Sequence, residues 1–405
     1  MASPGRAFAL IFAVNLAVQG LVLTRLPERV VRPHTRWEVA AVAMSLHERG
    51  AFADPYLLPT GPTAHVPPFH PALIAAIYRL LGPTLAAGYV TWLFSIAFSG
   101  VMFGMLPWLG GRLGLGERAG LLGGFVGAAV PRWPDFGQAP AAIAIGLMAA
   151  AFVTRWEKGR ATLAGSLGLG FAIGLSFLVT PSLLPVALGF VAFELIRLRS
   201  PKRWVRAALL LFGMALAITP WTWRNQKKLG GLFFVRSNFG LELRMGNHEG
   251  AGANLELSAR GGTERHPRTN EEEVRKVQRL GELEYMRAAG REATAWIRAR
   301  PAEFLRLTGL RVAQFWLGPV NDLPRALVVT TLTLLGVLGI VRAWPRLDAP
   351  RRAAILVPLV AYPLVYYLVG WELRYRGPID GLALLLAAAA VVGTPPPIQP
   401  AGGEE

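Results

Sequence analysis

The chain has 405 residues, no cysteine and a formal charge of +17, and its apolar residues gather in nearly charge-free runs of roughly 16 to 25. Runs of that length cross a bilayer, whereas a soluble domain of this size shows shorter amphipathic segments, so composition excludes a soluble globular enzyme. The missing thiols exclude disulfides, thiolate nucleophiles and cysteine metal sites together, and leave the redox compartment unread.

The first apolar run, Ala7–Thr24, follows Arg6 and lacks a small-residue cleavage site before Arg25, so it is expected to persist as a signal anchor. Further spans are expected at Thr84–Leu109, Ala119–Val130, Gln138–Val153, Leu163–Val179, Ser182–Ile196, Ala207–Trp221, Arg325–Val341, Ala353–Gly370 and Ile379–Val392. The third and fourth read as a shallow hairpin. The predicted fold class is an all-α polytopic membrane protein of about ten transmembrane helices, with juxtamembrane helices on its outer face. Gly168, Gly170 and Gly174 fall inside the fifth span, where such spacing means close helix packing and not a dinucleotide loop. No phosphate-loop, zinc-helix or serine-elbow pattern occurs.

With the N-terminus inside, the connections after the second, fourth, sixth and eighth spans are the basic ones. They hold Arg112 and Arg118; Arg155, Lys158 and Arg160; Arg197, Arg199, Lys202, Arg203 and Arg206; and Arg342, Arg346, Arg351 and Arg352. The short connections opposite hold far fewer, Arg132 among them. Positive-inside assigns the basic set to the cytoplasm and makes much of the net charge topogenic, so no nucleic-acid partner is expected. The outer face then carries His34–Pro71, Pro131–Gly137, Trp221–Pro324 and Trp371–Pro378.

Four sequence blocks follow: 1–220, a transmembrane module with the first outer loop; 221–324, an outer loop with amphipathic helices; 325–393, the C-terminal helices; and 394–405, a Pro/Gly-rich tail expected to be disordered. The second block opens strand-like and turn-rich, then turns helical from Thr269. Thr269 with Glu272 forms a capping box, and Pro301 splits the helix. Trp296, Ile297, Phe304 and Leu307 are expected to lay an apolar face on the membrane surface.

In the first outer loop Glu38 has two readings. Thr35-Arg36-Trp37-Glu38 matches a capping box, in which Glu38 binds its own helix terminus. Alternatively, a carboxylate at a helix start beside the bilayer can take the proton of an acceptor hydroxyl. Asp135, in PRWPDFGQ, is a second candidate carboxylate, for a divalent cation or for placing an acceptor, and is equally a plain turn Asp. His65 and His70 are five apart across two prolines, which rules out a helical metal pair; the rigid turn aims His65 at a neighbouring site or merely anchors the loop. Arg374 and Arg376 flank Tyr375 on the outer face, against positive-inside. Phosphate binding explains them, and so do ion pairs with Glu372 or Asp380 or snorkelling to headgroups. After the seventh span, Arg224 is a second-choice phosphate ligand and Asn238 a further substrate contact.

These segments taken in order resemble bacterial GT-C membrane glycosyltransferases, family-39 or protein-mannosyltransferase-like. The resemblance is carried by Trp37-Glu38, SLHERGAFADPY, TGPTAHVPPFHPALIAAIYRLLG, TPWTWRNQ to VRSNFGLELRMGN, AWIRARPAEFLRL and WELRYRGPI, and runs through most of the chain. It implies an inverting transferase taking a sugar from a polyprenyl-phosphate donor to a glycolipid, polysaccharide or protein acceptor at the periplasmic face of the bacterial inner membrane. Glu38 would be the base, with Arg374 and Arg376 on the lipid phosphate and Asp135 and His65 assisting. Relatives often carry Asp, or an Asp-Glu pair, where this chain has Glu38 alone, so a divalent cation is the one cofactor left open, on Glu38 and Asp135. A lipid or glycan transporter and a non-catalytic scaffold are the competing classes. A transporter is disfavoured because the spans are nearly free of charge and show no internal repeat.

Overall fold

The computed structural model describes residues 4–34, 37–132, 137–157, 162–197, 201–260 and 265–395. Asp135, Thr35 and most of the Pro/Gly-rich tail lie outside the described residues. Among those described, the chain is mostly helical, and its only strand pairings are two isolated bridges, Ala53 with Pro62 and Asn254 with Trp371. The strand-like reading after Trp221 is therefore corrected: the seventh span runs on as one helix, Arg203–Leu229, and after a loop the chain re-enters a helix at Phe239–Gly246.

Among the described residues, seven helices are long and apolar enough to cross a membrane: Gly5–Thr24, Leu85–Arg112, Gln138–Glu157, Arg203–Leu229, Leu323–Arg346, Ala349–Val369 and Leu373–Val392. The remaining three expected spans fold as Glu117–Ala129, Leu163–Phe177 and Leu184–Arg197, of 13, 15 and 14 residues. At about 1.5 Å per residue each is roughly 20 Å long, short of a hydrocarbon layer of about 30 Å. The protein is a multi-pass membrane protein, with these shorter helices packed among its long ones.

Glycine sets the closest packing. A Cβ added at Gly170 would lie 2.2 Å from Leu210 O, one at Gly174 would lie 2.6 Å from Met214 O, and one at Gly213 on the facing helix would lie 2.4 Å from Leu167 O. Two of the three glycines singled out in that span thus bring two backbones together as small residues do in membranes; Gly168 faces open space. One buried ion pair closes the same region. Arg155 donates to both Glu194 oxygens, at 2.6 and 3.2 Å, and to Ser166 Oγ at 2.8 Å, joining three helices.

Charged loops sort to two ends of the bundle. At one end Glu157 meets Arg112 at 3.5 Å and also Arg351, which pairs with Asp348, so the connections after the second, fourth and eighth expected spans share a face. The connections after the first, seventh and ninth gather at the other. There Glu38–Arg49 packs against Phe69–Leu81, an apolar helix absent from the predicted elements, through Ala43, Ile74, Ala75, Ile77 and Tyr78.

The part of the second block that follows Thr269 divides into Glu271–Leu280, Glu282–Ala299 and Pro301–Leu317. Pro301 does begin a new helix. Gly281 adds a break that the sequence reading missed; its φ of 77° is one that a side chain disfavours. The cap is Asn270, whose side chain accepts from Glu273 N at 3.2 Å, one residue beyond the expected Thr269. Leu307 is buried, so it is removed from the expected membrane-facing set, and Leu305, Leu310, Val312 and Leu317 are exposed large apolar residues of that helix.

Candidate functional site

Between Gly50 and Pro68 the first loop has no helix of its own, and partners far away in sequence hold it in place. Arg224 Nη1 and Nη2 donate to Thr63 O at 2.6 Å and Phe52 O at 2.7 Å. Arg236 Nε donates to His65 O at 2.6 Å, and Ser237 N to Ala64 O at 3.1 Å. Glu282, buried at the start of its helix, accepts from Ala64 N at 2.8 Å, Ser237 Oγ at 2.6 Å and Thr63 Oγ1. Burial raises the Glu282 carboxyl above the usual range, opposed by the bonds from Ser237, Thr63 and Ala64 and by the Arg224 charge.

This clamp carries His65 to Glu38. The helix begins at Glu38 itself, with Trp37 at the N-cap and no side-chain cap bond, so Glu38 occupies the first helical position and not the third. The capping-box reading of Glu38 is therefore corrected, since that motif needs the acid at the third position. Glu38 Oε1 instead faces three nitrogens: Arg268 Nε at 3.6 Å, His266 Nε2 at 3.8 Å and His65 Nε2 at 3.9 Å. All three separations exceed a hydrogen bond. An oxygen lying out of the plane of Glu38 Oε1 and the two imidazole nitrogens reaches roughly 2.8–3.0 Å from all of them at once.

Tyr56 sets its ring edge-on to His65 and His266, at 5.1 and 6.3 Å between centroids, and the two imidazoles are 5.6 Å apart. Burial, then the Arg236, His266 and Arg268 charges, pull the His65 imidazole well below its usual value and keep it neutral. His266 Nδ1 accepts from Arg268 N at 3.1 Å, which places the proton of a neutral ring on Nε2, toward Glu38. Arg268 lies over the exposed Trp37 ring at 5.1 Å.

The site continues toward the last connection. Burial raises the Glu372 carboxyl, Arg374 opposes this, Glu242 adds to it and Arg268 opposes it, so those four charges share one neighbourhood. Arg374 Nε pairs with Glu372 at 2.5 Å with half of its side chain exposed. Arg236 approaches Glu242 at 3.7 Å, and Tyr375 stacks on Tyr366 at 4.7 Å.

The expected site residues thus separate. Glu38 and His65 come together, and Arg374 with Tyr375 lies in the adjoining charge cluster. Arg376 does not join them: it is 2% exposed and donates to Asp380 at 2.8 Å, Thr333 Oγ1 at 3.0 Å and Phe315 O at 3.2 Å. Arg224 spends its donors on loop carbonyls, and Asn238 binds Glu242 at 2.6 Å. Sequence reasoning missed His266, Arg268, Tyr56 and Glu282. Arg268 carries the same outer-face anomaly that drew attention to Arg374; nothing in the spacing of His266 or Glu282 marks them.

Among the described residues, Glu38, His65 and His266 form the group that could hold a cation, with one ligand atom from each all within 4.8 Å of one another. The donor set does not fit one. His266 Nε2 carries the ring proton, a permanent guanidinium stands 3.6 Å from the same carboxylate oxygen, and metal–nitrogen and metal–oxygen bonds of about 2.1 Å require the three to contract by a few tenths of an ångström. The arrangement suits proton transfer to a carboxylate beside a fixed positive charge.

The fold is that of a GT-C-like polytopic membrane protein. Among solved structures it is similar to the Archaeoglobus fulgidus oligosaccharyltransferase in its apo form, at TM-score 0.55 and 13% identity over 96% of this chain and 50% of that one. It is similar also to AglB, the oligosaccharyltransferase of that archaeon, in complex with an inhibitory peptide and a dolichol-phosphate (TM-score 0.56, 15% identity, 96% and 50%). A third similar structure is that oligosaccharyltransferase tethered to an acceptor peptide containing the NVT sequon (TM-score 0.55, 14% identity, 96% and 49%). The chain spans about half the length of these neighbours. No family model and no curated protein matches it.

Proposed function

We propose that this protein is an inverting glycosyltransferase that moves a sugar from a polyprenyl-phosphate donor to a hydroxyl-bearing acceptor, working at the periplasmic face of a bacterial inner membrane. The observation that carries the reading is the Glu38 carboxylate, faced by three nitrogens at 3.6 to 3.9 Å, too far to bond it directly. An acceptor hydroxyl in that gap gives its proton to Glu38 Oε1 as its oxygen attacks the anomeric carbon. The carbon–oxygen bond to the lipid phosphate breaks on the opposite side, and the phosphate leaves with the bonding pair. Arg268 and the half-exposed Arg374 lie where that charge can be met by guanidinium groups. Arg376 and Arg224, with their donors turned inward, are left out of this role, and Asp135 is given none.

The dolichol-phosphate and acceptor peptide bound by the similar structures support a lipid-linked donor and make a peptide one acceptor to try, beside a glycolipid and a polysaccharide. The segregation of Arg112, Arg351 and their neighbours to the opposite end supports the periplasmic placement of Glu38. The test is purified protein in nanodiscs, supplied with a panel of polyprenyl-phosphate sugars and assayed for released polyprenyl phosphate. Transfer that requires Glu38 supports the proposal; undiminished transfer by Glu38→Gln overturns it. Vectorial movement of an intact glycolipid without cleavage points to a transporter instead.

A further inference from the structure

Glu282 is a buried carboxylate of the outer face whose hydrogen-bond donors are Thr63, Ala64 and Ser237. It lies 218 residues from Ala64, whose backbone N–H it accepts, and 219 from Thr63, whose hydroxyl it accepts. Its third donor, Ser237, belongs to a third segment, and Ser237 N returns a bond to Ala64 O. Thr63 Oγ1 in turn accepts His65 N at 3.0 Å. A continuous line of hydrogen bonds therefore runs from the first turn of the helix Glu282–Ala299 to the backbone of His65. An ionised carboxylate is acceptor-only, and here all three of its partners are donors.

We infer that Glu282 is a positioning residue for the Glu38 site, fixing the Thr63–His65 backbone so that the buried His65 imidazole is presented to Glu38. The inference rests on reading Glu38 and His65 as a working pair. The carboxylate suits this work better than its amide isostere. Glutamine places an NH2 group where one of three donors now points and leaves a buried donor unpaired. Glu282 offers nothing to substrate, since its oxygens are taken up and sealed from solvent.

The test reads His65 directly. The chain has 6 histidines and His65 alone is removed in a His65→Asn control, so the [15N]histidine-labelled protein in nanodiscs gives an assignable imidazole signal. The charged and titratable groups facing His65 are Glu38, Arg236, His266 and Arg268, with Tyr56 beside them. In the native protein His65 stays neutral well below the usual value of about 6.5. In Glu282→Gln, release of the loop exposes the ring, and its midpoint is expected to rise by about one pH unit or more toward that value.

The sign separates positioning from charge. Loss of a nearby negative charge alone lowers a histidine midpoint further, and a purely structural carboxylate alters thermal stability while leaving His65 of the folded protein unmoved. An unchanged or lowered midpoint in folded Glu282→Gln protein overturns the inference. Should that variant not fold, Thr63→Val decides: it removes the link between Glu282 and His65 N, and a rise in the same direction supports the inference while no rise overturns it. Failure to find a donor sugar would sink the transferase reading and leave this outcome standing.

Discussion

The interior of the bundle and the surroundings of Glu38 handle charge in opposite ways. Arg155 in the bundle is matched by Glu194 and Ser166 at 2.6 to 3.2 Å, and Arg376 by Asp380, Thr333 and Phe315 O at 2.8 to 3.2 Å. Around Glu38 the groups stand at 3.6 to 3.9 Å, near enough to attract and too far to bond. A buried ion that has found its partners costs a great deal to disturb and is silent in chemistry. One held just short of its partners has room for a reacting atom. The first outer loop differs in packing too: it is hung from long side chains, whereas glycines bring helix backbones together in the bundle.

The largest expected effect tests the open end of this contrast. Glu38→Gln should reduce transfer by about 10²- to 10⁴-fold, the usual worth of a general base, with unfolding temperature unchanged. Glu194→Leu should do the reverse, leaving Arg155 unpaired and costing about 3–5 kcal/mol of stability in detergent while turnover per folded molecule is kept. Exchanged outcomes would erase the distinction between closed and open charge.

Next in size is the packing contrast. Gly170→Val forces a side chain against Leu210 O and should cost about 1–3 kcal/mol, read as a lowered unfolding temperature. Gly168→Ala, with open space beside it, should be neutral or slightly stabilising. Equal losses at both positions would show that helix contact there does not depend on glycine.

The bundle was the more legible of the two regions, for a physical reason. Long apolar runs and glycines at Gly170 and Gly174 report their surroundings locally, because a membrane-spanning helix satisfies its own backbone and needs only a partner surface. The difference there is one of length: Leu163–Phe177 and Leu184–Arg197 are apolar but shorter than expected. The outer layer depends on long-range pairing that spacing does not encode. Glu38 was visible as an acid near a helix start, and its capping reading failed because the helix begins at the acid itself. His266 reaches it from 228 positions away, a separation no local pattern marks. Arg374 and Arg376 looked equivalent in sequence, but the short turn Leu373–Arg376 sends one toward Glu372 and the other into the bundle.

That divergence supplies a smaller test. Arg268→Ala should raise the donor KM about tenfold, roughly 1.4 kcal/mol of binding, without loss of stability. Arg376→Ala should lower the unfolding temperature and leave KM unchanged, because its donors serve Asp380, Thr333 and Phe315 O. A raised KM in Arg376→Ala would put the phosphate on the buried arginine and break the assignment of Arg268.

The smallest expected effect is an absence of one. If Glu38, His65 and His266 move a proton, prolonged EDTA treatment should leave transfer within about twofold, since a general base acts with no bound ion. Were they a cation site, chelation would abolish transfer and Mn²⁺ or Mg²⁺ would restore it. The tautomer favours the first outcome: His266 Nδ1 already accepts Arg268 N, so turning Nε2 into a ligand means breaking that bond, and Arg268 would have to leave a carboxylate it approaches at 3.6 Å. Treating the Arg268→Ala variant with EDTA sharpens the point. Removing the guanidinium takes away the charge that competes with a cation for Glu38, so any latent metal affinity of the cluster should emerge there as metal-dependent transfer. Chelation that is harmless in both proteins would establish that Glu38 works as a carboxylate base and not as a ligand.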